Sequence, residues 1–167
     1  MRPFVLVGGW PASGKSTLSE SLSRHLALPH LSKDEVKEAL MDALGPPRTV
    51  AASQRLGVAA VHAVLRLARS CPGAVIDSTW FEYTRPLVAR LPGPCVEVSC
   101  VTDIATVRAR YAARVRDPRH LDALRTEDEL WGRPVPALGV GPLIEVDTTG
   151  EVDVGALAES IAVVVRR

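Results

Sequence analysis

The stretch GWPASGKST at residues 9–17 constrains this chain more than any other feature, because it satisfies the pattern G-x-x-x-x-G-K-[ST]. The apolar run FVLV at 4–7 precedes it and is typical of a buried parallel strand. Leucines recur at helical spacing in the segment that follows. The sequence therefore predicts a strand, a Gly-rich loop and a helix in this order.

The residue types in this loop suit the binding of a phosphate. Glycines allow the backbone to approach an anion closely, and the loop and helix N–H groups form a positively polarised nest. Lys15 is predicted to reach the β and γ phosphates, and Ser16 to bind magnesium. A Gly-rich turn that only caps a helix is the alternative. The residues predicted to surround the phosphates are Gly9, Ala12, Ser13, Gly14, Lys15, Ser16 and Thr17.

Length and composition indicate one domain spanning residues 1–167. Hydrophobic residues make up 47% of the chain but aromatic residues only 4%, so we expect a core of Val, Leu and Ala. That core suits a parallel sheet covered by helices. The net charge of +1 argues against a protein that mainly binds nucleic acid non-specifically. Without a predicted signal peptide or membrane span, we expect a cytoplasmic protein that has no membrane partner.

Short apolar runs alternate with helical patterns along the chain, which predicts an α/β fold: a doubly wound, five-stranded parallel sheet flanked by helices. The predicted strands are Phe4 to Val7, His30 to Ser32, Ala74 to Ile76, Val96 to Val101 and Leu143 to Val146. The predicted helices lie near 15–27, 34–44, 50–70, 84–91, 103–116, 127–131 and 153–166. A Gly- and Pro-rich loop is predicted at 131–142.

The segment LSKDEVKEAL after the second strand places Asp34 and Lys37 one helical turn apart, on one face. A carboxylate can orient an acceptor hydroxyl and take its proton, and a nearby cation can hold the substrate. The alternative is purely structural. Ser32 and Glu35 form an S-x-x-E capping box, and acids in a first turn are favoured by the helix dipole.

The third predicted strand leads into AVIDSTW, which places Asp77 where a magnesium-binding carboxylate is expected. A turn-forming Asp-Ser pair is the alternative. Trp80 follows with two further aromatic residues, so this loop is a candidate wall of an acceptor pocket. Packing of these aromatic side chains onto the body of the domain is the other interpretation.

Residues 107–120, VRARYAARVRDPRH, form a basic segment. Arg110 and Arg114 are four residues apart and are predicted to share one helix face, where they can stabilise a transferring phosphoryl group. A solvated basic face is the alternative, and it suits Arg108 and Arg116 better. We expect His120 at the surface.

In their order along the chain, GWPASGKST, SKDEVK, AVIDST and RARYAAR resemble the small P-loop kinases, including the phage polynucleotide 5′-hydroxyl kinase domain, chloramphenicol phosphotransferase and the zeta toxins. The resemblance implies that Asp34 is the catalytic base and that Lys37 stands where an arginine is common. It also implies that Arg110 and Arg114 belong to a lid over ATP, and that the loop at 147–149, with Asp147 and Thr148, contacts adenine. A plain turn is the alternative for that loop.

The function expected from this resemblance is an ATP- and Mg²⁺-dependent kinase that phosphorylates a hydroxyl of a small molecule such as an antibiotic, sugar or nucleoside. A polynucleotide 5′-hydroxyl kinase is a second hypothesis, although the cations between 45 and 73 form no clear stripe. A non-enzymatic ATP-binding switch protein is the third. DTTG at 147–150 matches a GTPase pattern but lies too late in the chain for one. We expect ATP and a hydroxyl-bearing acceptor as partners, and no obligate protein partner.

Overall fold

The computed structural model describes residues 2–132 and 135–166, so residues 133 and 134 of the loop predicted at 131–142 lie outside the described residues. The strands are β1 (Phe4–Gly9), β2 (His30–Ser32), β3 (Ala74–Asp77), β4 (Cys95–Val101) and β5 (Leu143–Asp147). The helices are α1 (Lys15–Leu26), α2 (Lys33–Leu44), α3 (Val50–Ala68), α4 (Arg85–Val88), α5 (Ile104–Ala113), α6 (Glu127–Trp131) and α7 (Val154–Val165). Short 3-10 turns lie at Glu82–Thr84, Pro118–His120 and Asp122–Leu124.

The five strands form one parallel sheet in the order β2-β3-β1-β4-β5. This confirms the predicted doubly wound α/β fold. In the register, Val7 lies opposite Asp77 of β3 and Val98 of β4. In such sheets ligands bind outside the carboxyl ends of the strands, at the point where the strand order reverses. That point is the end of β1, where the Gly-rich loop begins.

The core lies on both faces of the sheet, and β1 contributes to each because successive strand residues point to opposite sides. Phe4 and Leu6 are buried in a cluster with residues of α3 and α4. Val5 and Val7 are buried in a second cluster with residues of α1 and α7. Both faces of β1 are therefore covered, and its end is held rigidly. Among the described residues, no helix has the length and apolarity needed to cross a membrane.

The basic segment does not form the continuous helix predicted at 103–116, because α5 ends at Ala113. Arg114 has an extended backbone with φ −71° and ψ 137°. A 3-10 turn begins at Pro118, and proline disfavours a helical conformation of the residue before it. The helix is therefore shorter than predicted, but the Arg114 N–H still donates to the Arg110 carbonyl at 3.0 Å, so these two residues lie one helical turn apart at the end of α5.

Candidate active site

The Gly-rich loop between β1 and α1 has three residues with positive φ: Gly9 at 139°, Ala12 at 61° and Gly14 at 88°. A Cβ at Gly9 would lie 2.7 Å from Ser13 Oγ and 2.8 Å from the Cys100 carbonyl oxygen, so only glycine fits there. Gly14 is the N-cap of α1 and has no side chain to cap its first amide groups. Those N–H groups are therefore available to an anion.

A cleft of about 770 Å³ opens at the carboxyl edge of the sheet, a volume in the usual range for small-molecule sites. Its lining includes five of the loop residues that the sequence singled out: Ala12, Gly14, Lys15, Ser16 and Thr17. Gly9 and Ser13 lie beneath this surface. The side chain of Ser13 is 1% exposed, and its carbonyl accepts a hydrogen bond of 2.6 Å from the Thr148 hydroxyl. These two residues support the loop from below and do not line the cleft.

Lys15 lies in the cleft, where its Nζ donates a hydrogen bond of 2.7 Å to the Trp10 carbonyl. Burial lowers the pKa of Lys15 to about 8, because the charged ammonium loses solvation; Cys100, Asp34 and Asp77 partly offset this effect. A bound phosphate would favour the charged form. The side chain is thus held near the loop as a cation that an anionic ligand would stabilise.

Ser16, at the start of α1, and Asp77, at the end of β3, meet in the cleft. Ser16 Oγ donates to Asp77 Oδ2 at 2.8 Å. Asp77 Oδ1 is buried without a well-aligned hydrogen bond, and lies 3.4 Å from His30 Nε2. Burial tends to raise the pKa of Asp77, but the nearby His30 imidazole and the hydrogen bond from Ser16 hold it below its usual value. An ionised carboxylate beside a hydroxyl suits Mg²⁺, which prefers oxygen ligands, so the predicted pair fits that ion.

Asp34 lies in the first turn of α2 and lines the same cleft. Its Oδ1 accepts from Lys33 Nζ at 2.5 Å and its Oδ2 accepts from Arg116 Nη2 at 2.5 Å. Burial tends to raise the pKa of Asp34, but these two cations lower it well below its usual range. Ser32 is the N-cap residue, yet its side chain makes no capping hydrogen bond, so the predicted capping box is wrong.

Arg116 lines the cleft. The sequence had suggested instead that it lies on an outer basic face. Besides Asp34, it donates to Asp122 Oδ1 at 3.1 Å and Oδ2 at 3.0 Å. Arg114 also bonds to Asp122, at 2.7 Å, and its guanidinium lies 4.2 Å from the Tyr111 ring centroid. Because the chain leaves the helical path after Ala113, Arg116 turns toward Asp34.

Arg108 has the outward position that was predicted for it. Its side chain is 51% exposed and pairs with Glu127 at 2.7 Å. Arg110 lines the cleft and donates to the carbonyls of Thr148 at 2.9 Å and Thr149 at 2.7 Å. These contacts tie α5 to the loop after β5.

The loop after β5 contributes Thr148 to the cleft but not Asp147. Thr148 is 6% exposed, and Asp147 is an exposed residue whose Oδ1 accepts from the Thr149 backbone N–H at 2.8 Å. Hydrogen bonding within its own loop therefore occupies the Asp147 side chain. Sequence reasoning missed the following residues of this loop, Gly150 and Glu151, which do line the cleft.

Trp80 is a core residue and does not line the cleft. Its side chain is 5% exposed, and its Nε1 donates to the Val7 carbonyl at 3.0 Å. A Cβ at Gly8 would lie 2.8 Å from Trp80 Cδ1, so the indole packs directly on the backbone of β1. The expectation that Trp80 forms an acceptor pocket is wrong. Phe81 and Tyr83 stack on each other, outside the cleft, with ring centroids 6.1 Å apart.

Lys37 lines the cleft but is only 3% exposed, and its Nζ donates to Ser53 Oγ of α3 at 2.7 Å. His120 is 1% exposed and its Nε2 lies 2.8 Å from Glu38 Oε1, so the expectation of a surface histidine is wrong.

Sequence reasoning missed four other charged residues of the cleft: Lys33, Arg116, Asp122 and Arg125. The Asp-Pro pair at 117–118 was the available signal that α5 ends before Arg116, Asp122 and Arg125.

The comparisons with known proteins agree with this fold. The AAA_33 family model, described as an AAA domain, matches residues 4–130. The chain belongs to this family. Its fold is that of the small P-loop kinases, which confirms the resemblance drawn from the sequence. A search of curated proteins found no match.

Three solved structures show the extent of the likeness. A candidate kinase from Chloroflexus aurantiacus J-10-fl is 26% identical, with a TM-score of 0.78 over 96% of this chain and 94% of that one. A gluconokinase from Sinorhizobium meliloti 1021 is 18% identical, with a TM-score of 0.60 over 98% of both chains. A shikimate kinase from Acinetobacter baumannii in complex with shikimate is 16% identical, with a TM-score of 0.54 over 97% and 91%. At these identities the last two share the fold alone.

Proposed function

We propose that this protein is an ATP- and Mg²⁺-dependent kinase that transfers the γ-phosphate of ATP to a hydroxyl of a small molecule, such as an antibiotic, a sugar or a nucleoside. One observation carries the proposal. Lys15 and the Ser16–Asp77 pair line the same cleft as the ionised Asp34. A phosphate-binding end and a carboxylate that can receive a hydroxyl proton therefore face one ligand space.

The nucleotide end of the cleft would hold ATP through groups that are already in place. The N–H groups at the start of α1 and the Lys15 ammonium would bind the phosphates, and Arg110 would approach them from α5. Ser16 and Asp77 would hold Mg²⁺, which would supply positive charge to offset that of the phosphates. Thr148 would border the nucleotide from the loop after β5. Asp147, exposed and bonded within its own loop, is left out of this set.

Asp34 would orient the acceptor hydroxyl and take its proton as the new P–O bond forms. Its pairing with Lys33 and Arg116 keeps the carboxylate ionised, so it is ready to accept a hydrogen bond from a hydroxyl. The same two cations make it a weak base. Movement of Arg116 toward the transferring phosphoryl group would free the carboxylate at the moment of transfer and place a cation where charge develops.

A small acceptor is favoured over a polynucleotide by the shape of the site. The cleft of about 770 Å³ is shared between ATP and the acceptor. The gluconokinase and shikimate kinase, whose folds resemble this one, are named for small hydroxyl compounds. Within the described residues, the cations of α3 do not line the cleft, so no basic path for a nucleic-acid backbone leads to Asp34 along that helix.

Acceptor-dependent ADP release tests the proposal. Wild-type protein with ATP and Mg²⁺ is assayed against sugars, hydroxy acids, sugar phosphates, nucleosides, aminoglycosides and a 5′-hydroxyl oligonucleotide. We expect a small compound to stimulate release, and Lys15→Met to reduce that rate about a hundredfold, since it removes one charge from the transition state. The exposed Arg108→Gln serves as the matched control. Stimulation by the oligonucleotide alone would identify a polynucleotide kinase. Tight ATP binding without stimulation by any class would favour the switch protein.

A further inference from the structure

Among the described residues, more cationic than anionic side chains line the cleft. The cations that line it are Lys15, Lys33, Lys37, Arg110, Arg114, Arg116 and Arg125, and the carboxylates are Asp34, Asp77, Asp122 and Glu151. ATP with Mg²⁺ would neutralise part of this excess at the end formed by the Gly-rich loop. The charges around Asp34 lie at the other end of the cleft, where ATP would not neutralise them.

Among the residues that the structure describes, two cations at the Asp34 end have no carboxylate partner. Lys33 and Arg116 pair with Asp34, and Arg114 and Arg116 pair with Asp122. Within the described residues, Lys37 and Arg125 make no ion pair. Both nevertheless line the cleft.

Lys37 is the more unusual of the two, because lysine is rarely buried without a charged partner. Its side chain is 3% exposed, and its Nζ donates to the neutral Ser53 hydroxyl at 2.7 Å. An ammonium group has three donors, so two remain for a ligand. Burial, together with the nearby Lys33, lowers the pKa of Lys37 to about 8. A bound anion would offset both effects and favour the charged form.

The position of Lys37 separates it from the nucleotide end. It lies one helical turn beyond Asp34 on α2 and contacts α3 through Ser53. The Ser53 hydroxyl in turn donates to the His120 carbonyl at 3.3 Å, which fixes this corner of the cleft. Lys15, the phosphate-binding cation, belongs instead to the start of α1. A ligand that bridges Asp34 and Lys37 would therefore be the acceptor, because a nucleotide would bind at the end formed by the Gly-rich loop.

We propose that the acceptor is itself an anion: a small hydroxyl compound whose carboxylate or phosphate group binds Lys37 and Arg125 while its hydroxyl lies at Asp34. This inference rests on the proposed kinase function. It narrows the acceptor class, since neutral sugars and neutral nucleosides would leave the buried ammonium without a counter-ion. Charge-assisted hydrogen bonds to a carboxylate or phosphate are about twice as strong as neutral ones, which makes Lys37 a determinant of specificity.

Calorimetric titration tests the inference without requiring turnover. The protein is saturated with Mg²⁺ and the non-hydrolysable ATP analogue AMP-PNP, so the nucleotide end is occupied. The probes are sets of hydroxy acids, sugar phosphates and neutral polyols of matched size, represented by gluconate, glucose 6-phosphate and glucitol. We expect an anionic set to bind and the polyols not to bind. The two anionic sets distinguish a carboxylate from a phosphate group.

Three variants show whether the binding depends on the proposed residues. Lys37→Met keeps the length of the side chain but removes the charge, and is expected to weaken the anion about 10- to 100-fold. Arg125→Gln, at a partly exposed position, is expected to weaken it less and provides a second test if Lys37→Met does not fold. Arg108→Gln, which pairs with Glu127 away from the cleft, is expected to change nothing.

Each outcome bears on one of the two proposals. If AMP-PNP binds but no anion does, or if polyols bind as tightly as the anions, the acceptor inference is overturned and the kinase proposal stands. Unchanged anion affinity in both Lys37→Met and Arg125→Gln also overturns it. Failure of the wild-type protein to bind AMP-PNP overturns the kinase proposal, and the inference with it.

Discussion

The ion pair between Asp34 and Arg116 makes a quantitative prediction about stability. Arg116 Nη2 lies 2.5 Å from Asp34 Oδ2, and the two side chains are 24% and 42% exposed. Exposed pairs contribute about 0.2–1 kcal/mol, whereas breaking a buried pair costs about 3–5 kcal/mol. Because Asp34 is more than a third exposed, its value belongs near the lower range. We expect a coupling energy of about 1 kcal/mol.

A double-mutant cycle isolates this pair from the other contacts of Arg116. The free energy of unfolding is measured in urea for wild type, Asp34→Asn, Arg116→Gln and the double variant. Arg108→Gln with Glu127→Gln provides an exposed control cycle, where we expect at most about 0.5 kcal/mol. A coupling energy for Asp34 and Arg116 no larger than that of the control would refute the account of this pair.

The pH dependence of the coupling has a definite sign. The pKa of Asp34 is lowered in the folded protein, so the pair stabilises the fold at pH values above the unfolded pKa of about 4. As the pH falls through the folded pKa, which is lower still, this contribution is lost. The coupling should therefore be constant from pH 7 to about 5 and should shrink below about pH 4. A coupling that grew on acidification would contradict the assigned direction.

Three further predictions concern single variants. Ser16→Ala should raise the Mg²⁺ concentration needed for half-maximal turnover about tenfold, because one oxygen ligand is lost, and a magnesium titration would show it. Arg110→Ala should lower kcat more than it weakens ATP binding, whereas Arg108→Ala should alter neither; equal kinetic effects would remove the distinction between the two sides of α5. Trp80→Phe should destabilise the fold by about 1 kcal/mol through the lost bond to the Val7 carbonyl, and a changed acceptor KM would contradict its place in the core.

The sheet and the Gly-rich loop were predictable because their signals are local. Apolar runs mark the five strands, and the G-x-x-x-x-G-K-[ST] spacing lies between the first of them and a leucine-patterned helix. The parallel direction of the strands also follows from the alternation of strands and helices along the chain. Asp34 could be singled out because its helix begins directly after a strand that ends at the same edge of the sheet.

Spacing singled out Arg110 and Arg114, which line the cleft, but not Arg116, because its position depends on where α5 ends. The sequence predicted a helix continued to residue 116, but the chain leaves the helix after Ala113 and brings Arg116 to Asp34. Burial of His120 and Lys37 follows from this same return of the chain over α2 and α3, since Ser53 bonds to both residues. Such long-range contacts leave no periodic signal in a single sequence.

The Asp34→Asn variant tests the central claim most directly. The amide keeps the shape of the side chain but cannot take a proton from the acceptor hydroxyl. The measurement is the single-turnover rate of phosphoryl transfer from ATP to the acceptor found in the screen, together with ATP affinity and unfolding free energy of the same variant. The account predicts a transfer rate lowered about 10²- to 10⁴-fold, with ATP affinity nearly unchanged. If the variant lost stability but transferred the phosphoryl group at the wild-type rate, Asp34 would only support its helix and its ion pairs.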